Sequence, residues 1–372
     1  MHITHFKEHF ETITDQRQSG KITYCLFEVL FGSLCAVIAG AKGWFDIHEY
    51  LLGHRDWFQK NDLLLNGIPT DDTIARVISS IEPEQFHQCF IAWMKSVNDL
   101  TDGQVVAIDG KTLRGSYNRE DKSSTIHMVS AYASSNNLVL GQLKTDQKSN
   151  EITAIPELIK MLDLNGALVT IDAMACQTKI AKSIVDQGGD YLLAVKNNQG
   201  KLRKSIEAVF SFPQKTTDGI SLGKKHGRIE ARRCYVAESK ALEEDFSRWK
   251  KLKSLILIEN YRLEKGKTPT LEYHYYISSR KLDAKQAAAA VREHWGIESM
   301  HWVLDVSMGE DACQIYKDHG AENLSCLRHM SLNMLRSEAT KLSIIGKQRR
   351  CLMNTSMLEA VLTAGFNEFT VK

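Results

Sequence analysis

The chain has 372 residues, of which 43% are hydrophobic and 25% are charged. This is the composition of an ordinary globular protein, long enough for a large core or a few modules, and it excludes a low-complexity or disordered chain. The formal net charge of +2 does not by itself indicate a nucleic-acid partner, because charge can be concentrated locally.

The cysteines and the apolar runs bear on where the protein resides. The eight cysteines are scattered without a Cys-x-x-Cys pair, which is typical of free thiols in a reducing compartment. No signal-peptide pattern opens the chain. The most apolar run, residues 24–41, is interrupted by Glu28 and predicts a buried helix, not a membrane span. We therefore expect a cytoplasmic protein.

Residues 1–102 have a helical pattern. Thr70 predicts the N-cap of a helix that runs to about residue 81, and Pro83 opens the next helix. Two short helices joined by a tight turn are compatible with a helix-turn-helix that reads DNA and equally with ordinary helical packing.

The periodicity changes at residue 104. Two short apolar runs, 105–108 and 167–171, predict buried strands, and each is followed by an acid, Asp109 and Asp172. Further predicted elements are a hairpin over 126–133 and 138–143, a helix over 152–164, a helix over 177–187 and a strand over 191–195. This alternation indicates an α/β fold.

Residues 200–281 interrupt the alternation and predict a basic, β-rich insertion, with strands at 255–261 and 271–277. Between Lys196 and Arg233 there are ten lysines or arginines and three acids. Such a run is either a solvated basic face or a surface for a polyanion.

The segment that follows predicts a long helix carrying unusual residues. Asp283 and Gln286 have capping-box spacing at its start. Helical spacing places four polar side chains on one face, namely His294, Glu298, His301 and Asp305. Trp295 and Trp302 form a neighbouring stripe, which we expect to pack against the sheet and not to stack on a base. The two histidines could instead bind zinc, although no further cluster completes such a site.

Asp109, Asp172 and Glu298 are candidates for a common metal site. Hard oxygen ligands at the carboxyl ends of strands suit Mg²⁺ or Mn²⁺. Two such ions can activate a water or hydroxyl for attack on a phosphodiester. The structural alternatives are a turn at Asp109-Gly110 and helix capping by either aspartate.

Four segments together resemble the motifs of the DDE transposases of bacterial insertion sequences, in the branch of the H-repeat-associated proteins: residues 107–116, 170–174, 191–199 and 294–305. The resemblance implies an RNase H-like core in which Asp109, Asp172 and Glu298 are the catalytic residues and the ligands of Mg²⁺ or Mn²⁺, with two ions expected. It implies double-stranded DNA as partner, at the element's ends and at the target, and a homo-oligomer on DNA. The implied location is the bacterial cytoplasm, in association with the nucleoid.

The implied organisation has four parts: a helical N-terminal DNA-binding region at 1–102, the first part of the core at 103–199, the insertion at 200–281, and the second part of the core with the C-terminal helices at 282–372. DNA contacts are expected from five basic residues: Lys196, Lys224, Lys225, Arg228 and Arg292. The expected activity is metal-dependent DNA cleavage and strand transfer. The alternatives are a DNA-binding descendant without catalysis and a metal nuclease that cannot join strands.

The chain also departs from the pattern of residues that the wider clan of related transposases has around the catalytic glutamate. The related clan commonly has Tyr and Arg seven and four residues before the glutamate and Lys seven after it, where this chain has Val291, His294 and Asp305. The glutamate is usually followed by Asn, and here it is followed by Ser299.

Overall fold

A computed structural model of the chain describes residues 2–98, 100, 102–121, 124–145, 151–211, 217–225, 228–242 and 246–366. Six α-helices precede the first strand in these ranges: α1 (His2–Phe10), α2 (Leu26–Ile38), α3 (Trp44–Gly53), α4 (Arg55–Lys60), α5 (Asp71–Ser79) and α6 (Pro83–Val97). The predicted N-cap is confirmed, since the Thr70 hydroxyl accepts the N–H of Thr73 at the start of α5.

Five strands form the first half of the sheet: β1 (Val105–Thr112), β2 (His127–Ala133), β3 (Leu138–Thr145), β4 (Leu168–Ile171) and β5 (Asp190–Val195). β2 pairs antiparallel with β1 and β3, whereas β4 pairs parallel with β1 and β5. The crossover helices α7 (Glu151–Met161) and α8 (Thr178–Asp186) pack their apolar sides on one face of this sheet. The predicted α/β class with an RNase H-like core is confirmed.

Residues 200–278 begin with a helix that the sequence analysis did not predict, α9 (Gly200–Ser211), whose Leu202, Ile206 and Val209 are buried. Four strands follow: β6 (Thr217–Lys225), β7 (Arg228–Glu238), β8 (Ser254–Glu264) and β9 (Thr270–Ser278). Because β9 pairs antiparallel with β5, these strands extend the core sheet to nine strands in the order β3-β2-β1-β4-β5-β9-β8-β7-β6.

The long helix α10 (Ala284–Val306) lies on the other face of the sheet. Its predicted capping box is confirmed, with Asp283 and Gln286 each accepting the other's backbone N–H. The small side chains of Ala287 and Ala290 allow the first half of α10 to pack closely on the strands.

Three more α-helices follow in the described residues: α11 (Gly320–Ser337), α12 (Ile344–Met353) and α13 (Thr355–Phe366). α11 is almost completely buried and shares one core with the N-terminal helices and with Ile297, Met300 and Leu304 of α10. α10 is therefore held between the sheet and a helical layer, which fixes the position of Glu298. Within the described ranges, none of the helices has the length and apolar character needed to cross a membrane.

Candidate active site

The two aspartates lie side by side where the parallel pairing of the neighbouring strands β1 and β4 ends. The last parallel pair between β1 and β4 joins Ile108 to Ile171, and Asp109 and Asp172 each follow one residue later. β1 does not end before Asp109, as the sequence suggested, but continues to Thr112 in pairing with β2 alone. The crevice at the end of β4 thus opens beside Asp109.

Glu298 reaches the same crevice from α10. Asp109, Asp172 and Glu298 all line one cavity of about 660 Å³, together with Thr170, His294 and other side chains. Asp109 and Asp172 are half-buried and Glu298 is exposed. Carboxylates from three distant segments therefore meet in one concave site.

The acids of this cavity influence each other electrostatically. Burial raises the pKa of Asp109 to about 7, and the negative charges of Asp172, Glu151 and Glu298 act in the same direction. Burial also raises the pKa of Glu298. The site thus concentrates negative charge that a divalent cation would neutralise.

Two histidines of α10 face the strand ends. The ring Nδ1 of His294 lies 3.0 Å from the hydroxyl oxygen of Thr170, and Nδ1 of His301 lies 3.6 Å from a carboxylate oxygen of Asp109. Burial lowers the pKa of His294 and lowers that of His301 to about 3, so both rings are neutral at neutral pH. They position the polar groups at the strand ends without adding positive charge.

The side chains that line the carboxylate cavity indicate which metal ion could bind there. In the part of the chain that the structure describes, no group of three or more His, Cys, Asp or Glu side chains could hold a metal ion by itself. The carboxylate set is nevertheless of the type that suits Mg²⁺, which keeps several waters and takes only one or two carboxylates together with phosphate oxygens. One oxygen of Asp172 is fixed by the N–H groups of Met174 and Ala175. These oxygen donors fit Mg²⁺ or Mn²⁺ better than Zn²⁺.

Gly110, next to Asp109, is required by close packing on the opposite face of β1. The carboxylate of Glu151 and the imidazole of His127 form a buried pair directly over it, and a Cβ at this position would overlap with both groups. The same imidazole lies 2.9 Å from the Thr112 hydroxyl. The segment carrying Asp109 is therefore supported from both faces of the sheet.

Asp305, one of the positions at which the chain departs from the wider pattern, has a cationic partner. Lys111 of β1 is nearly buried and forms ion pairs with Asp305 and with the fully buried Glu310, the latter at 2.5 Å. The positive charge near this part of α10 thus comes from the strand and not from the helix. The contact also ties the C-terminal half of α10 to β1.

The expectation that the tryptophans pack against the sheet is wrong. Trp295 is 57% exposed and Trp302 is 60% exposed. The inward positions of α10 are occupied by His294, Ile297 and His301, so a side chain one position after each histidine points outward.

The predicted DNA contacts fall into three groups. Lys196 is exposed and lines the carboxylate cavity, while Arg292 lines an adjoining cavity. Lys224, Lys225 and Arg228 belong to the paired strands β6 and β7, but their side chains lie outside the described part of the structure.

Four more basic residues line these cavities, beyond those that the sequence analysis named individually as DNA contacts: Arg203, Arg232, Arg233 and Lys285. Lys285 could have been found, because it lies seven residues before Arg292 and shares its side of α10. Arg203, Arg232 and Arg233 belong to the basic run between Lys196 and Arg233, but their positions at the cavities depend on where α9 and β7 pack, which no local pattern reveals.

Comparison with known proteins identifies the family of the chain. Residues 100–334 match the family described as Transposase DDE domain, and residues 7–94 match the region described as DDE_Tnp_1-associated. The chain is 43% identical to the H repeat-associated protein YhhI of Escherichia coli (strain K12), over 97% of this chain and 98% of that one. It is 46% identical to the H repeat-associated protein YbfD of the same strain, over 64% of this chain and 96% of YbfD.

Among solved structures, the piggyBac transposase in a synaptic complex with hairpin DNA aligns with a TM-score of 0.47 and 13% identity, covering 97% of this chain and 81% of that chain. The family match spans most of the chain, and the relatives match over nearly their whole length. The chain belongs to the DDE transposase family, in the group that contains the H repeat-associated proteins.

Proposed function

We propose that the protein catalyses metal-dependent DNA strand cleavage and strand transfer at the ends of an insertion sequence. The observation that carries the proposal is the meeting of Asp109, Asp172 and Glu298 in one cavity at the end of the parallel strands. Family membership supports the same reaction class.

In this proposal the three carboxylates hold Mg²⁺ or Mn²⁺, with two ions expected. When bound, these ions supply an activated water or 3′-hydroxyl and neutralise charge on the reacting phosphate. The chain itself supplies the orientation: backbone N–H groups fix Asp172, and His301 faces Asp109. Lys196, in the same cavity, adds a positive charge that attracts the DNA backbone.

The substrate we propose is double-stranded DNA, as element ends and as target, bound by a homo-oligomer that brings two ends together. The division of labour we propose follows the predicted parts, with DNA binding by the helical region 1–102 and by the insertion 200–281. The core segments 103–199 and 282–372 carry the reaction. Action on a bacterial element implies a cytoplasmic protein associated with the nucleoid.

The test uses DNA that carries the inverted repeats flanking the coding region. With Mg²⁺ or Mn²⁺ the protein should nick this DNA and join the freed 3′ end to a target. Asp109→Ala, Asp172→Ala and Glu298→Ala should each abolish nicking, whereas Glu157→Ala, which changes an exposed acid on α7, should not. A carboxylate variant that cleaves normally would remove that residue from the site.

The alternatives give different products. A DNA-binding descendant without catalysis would bind end DNA equally well with chelator and would leave it intact when metal is added. A metal nuclease without joining activity would produce nicks but no strand-transfer product.

A further inference from the structure

Asp172 is carried by a short loop, residues 172–176, that follows β4. The pairing of β4 with both of its neighbours ends at Ile171, so the loop is held by other contacts. Within the loop, the Ala173 carbonyl accepts the N–H of Cys176 at 3.2 Å, and two further backbone N–H groups bind Oδ1 of Asp172. These bonds fix the shape of the turn but not its direction relative to the sheet, which depends on contacts from outside the loop.

The outside contacts come from the segment that follows β5, where a short 3-10 helix leads into α9. The side-chain amide of Asn198 donates to the Ala173 carbonyl at 2.5 Å. The side-chain amide of Gln199 donates to the Cys176 carbonyl at 3.0 Å. The two amides therefore hold both ends of the turn that carries Asp172.

Both sides of this contact are anchored in the fold. Ala173 and Cys176 are buried, and the carbonyl groups of buried residues require hydrogen-bond partners. On the other side, α9 begins directly after Gln199 and buries Leu202 and Ile206 beneath it. Because β4 and β5 are neighbouring parallel strands, the loops at their carboxyl ends meet at the same end of the sheet. The loop after β5 can thus brace the loop after β4.

We infer that Asn198 and Gln199 are positioning residues for Asp172: their amides set the direction in which its carboxylate enters the cavity. The inference rests on the proposed function, because it takes Asp172 as a ligand of the divalent cation. Groups that orient a metal ligand contribute to metal affinity although they do not touch the ion. Within the motif at 191–199, Lys196 thus adds charge for DNA, and the two amides act on a metal ligand.

The test titrates the DNA-free protein with Mn²⁺ and follows the free ion by electron paramagnetic resonance. Asn198→Ala and Gln199→Ala should each weaken Mn²⁺ binding about tenfold or more. Gln199→Met should weaken it as much as Gln199→Ala, because methionine keeps the length of the side chain but cannot donate a hydrogen bond. Asn197→Ala is the matched control and should bind as the parent does: this amide belongs to the same 3-10 helix, but its oxygen accepts from Arg203 at 2.5 Å.

Two further measurements separate positioning from a general loss of structure. The urea midpoint of unfolding, and binding of a duplex with the flanking inverted repeat in the presence of chelator, should stay at the parent values for Asn198→Ala and Gln199→Ala. Parental Mn²⁺ affinity in these variants would overturn the inference. So would an equal loss of Mn²⁺ affinity in Asn197→Ala, or a matching loss of duplex binding, since either would assign the effect to the segment as a whole.

Asp172→Ala distinguishes failure of the inference from failure of the proposed function. If this variant binds Mn²⁺ as the parent does, the carboxylate site itself is contradicted, and the inference fails with it. If Asp172→Ala loses Mn²⁺ binding while Asn198→Ala and Gln199→Ala keep it, only the inference fails. No measurement requires cleavage, so the outcome does not depend on the activity of the protein.

Discussion

In the two His-Trp pairs, seven residues apart on α10, the histidines and the tryptophans point in different directions from the helix axis. His294 and His301 face the strand ends that carry the aspartates, and Trp295 and Trp302 face solvent. The helical period explains the division, since consecutive residues are about 100° apart around the axis. The repeated dipeptide thus supplies two kinds of side chain. The histidines contact polar groups at the strand ends, and the tryptophans present aromatic rings at the surface.

Away from the site, Glu322 of α11 is a buried acid that should make folding pH-dependent. Burial raises its pKa to about 7, and the neighbouring His87 stays neutral because burial lowers the pKa of that ring to about 3. The unfolded chain ionises this glutamate near pH 4.5, but the folded chain keeps it protonated until about pH 7. Its contribution to stability is therefore present at low pH, falls between these values and stays lost above them.

We expect Glu322→Gln to remove this dependence. Relative to the parent, the variant should be more stable by about 1–3 kcal/mol near pH 8 and unchanged near pH 4. Urea denaturation of both proteins at the two pH values measures the difference. A constant difference across this range would show that the carboxyl does not change its protonation on unfolding.

At the scale of elements, α10 connects the two halves of the site. Its first turn is fixed by the capping box, and its small residues pack on the extended sheet. Its last turns are tied to β1 through Lys111, which bridges Asp305 and Glu310. Because Glu298 lies between these two anchors, its distance from Asp109 is set by the packing of a whole helix on a strand.

Lys111→Met should test this anchor. The change leaves the buried Glu310 without its cation, so we expect a loss of about 3–5 kcal/mol in the free energy of unfolding. Lys111→Met combined with Glu310→Gln should recover part of the loss. Lys182→Met is the matched control, because its ion pair with Asp186 is exposed and should contribute at most about 1 kcal/mol. If chemical denaturation shows the same loss in the free energy of unfolding for Lys111→Met and Lys182→Met, Lys111 does not anchor α10.

At the scale of the whole molecule, positive charge is distributed unevenly despite a net charge of only +2. Lys196 lies at the carboxylate cavity, and Lys285 and Arg292 lie at the adjoining one. The paired strands β6 and β7 at the edge of the sheet carry Lys224, Lys225 and Arg228. We expect these groups to follow the DNA backbone from the reacting bond to the edge of the sheet.

The salt dependence of DNA binding tests whether these basic residues contact DNA phosphates. Changing Lys224, Lys225 and Arg228 to Gln should weaken duplex binding and reduce the slope of log affinity against log salt by about 1 per lost phosphate contact. The matched control changes Lys341, Arg349 and Arg350, three exposed cations in or next to α12. A slope that stays at the parent value in the first variant would assign the basic run to a solvated face.

Local patterns in the sequence determined most of the elements. Capping at Thr70 and Asp283, the apolar runs before Asp109 and Asp172, and the helical spacing around Glu298 depend on residues within a few positions of each other. The resemblance to the family motifs identified Asp109, Asp172 and Glu298 as candidates, and in the structure all three line one cavity.

Tertiary structure alone decided what lies around those acids. The continuation of the sheet through β9, the burial of Lys111 between two acids and the cavity lined by Arg292 all join residues far apart in the chain. Such contacts depend on how long-range packing satisfies charge and fills space, and a local period contains no information about the partner. The candidate acids could therefore be identified from the sequence, whereas their surroundings, including the adjoining cavity, required the fold.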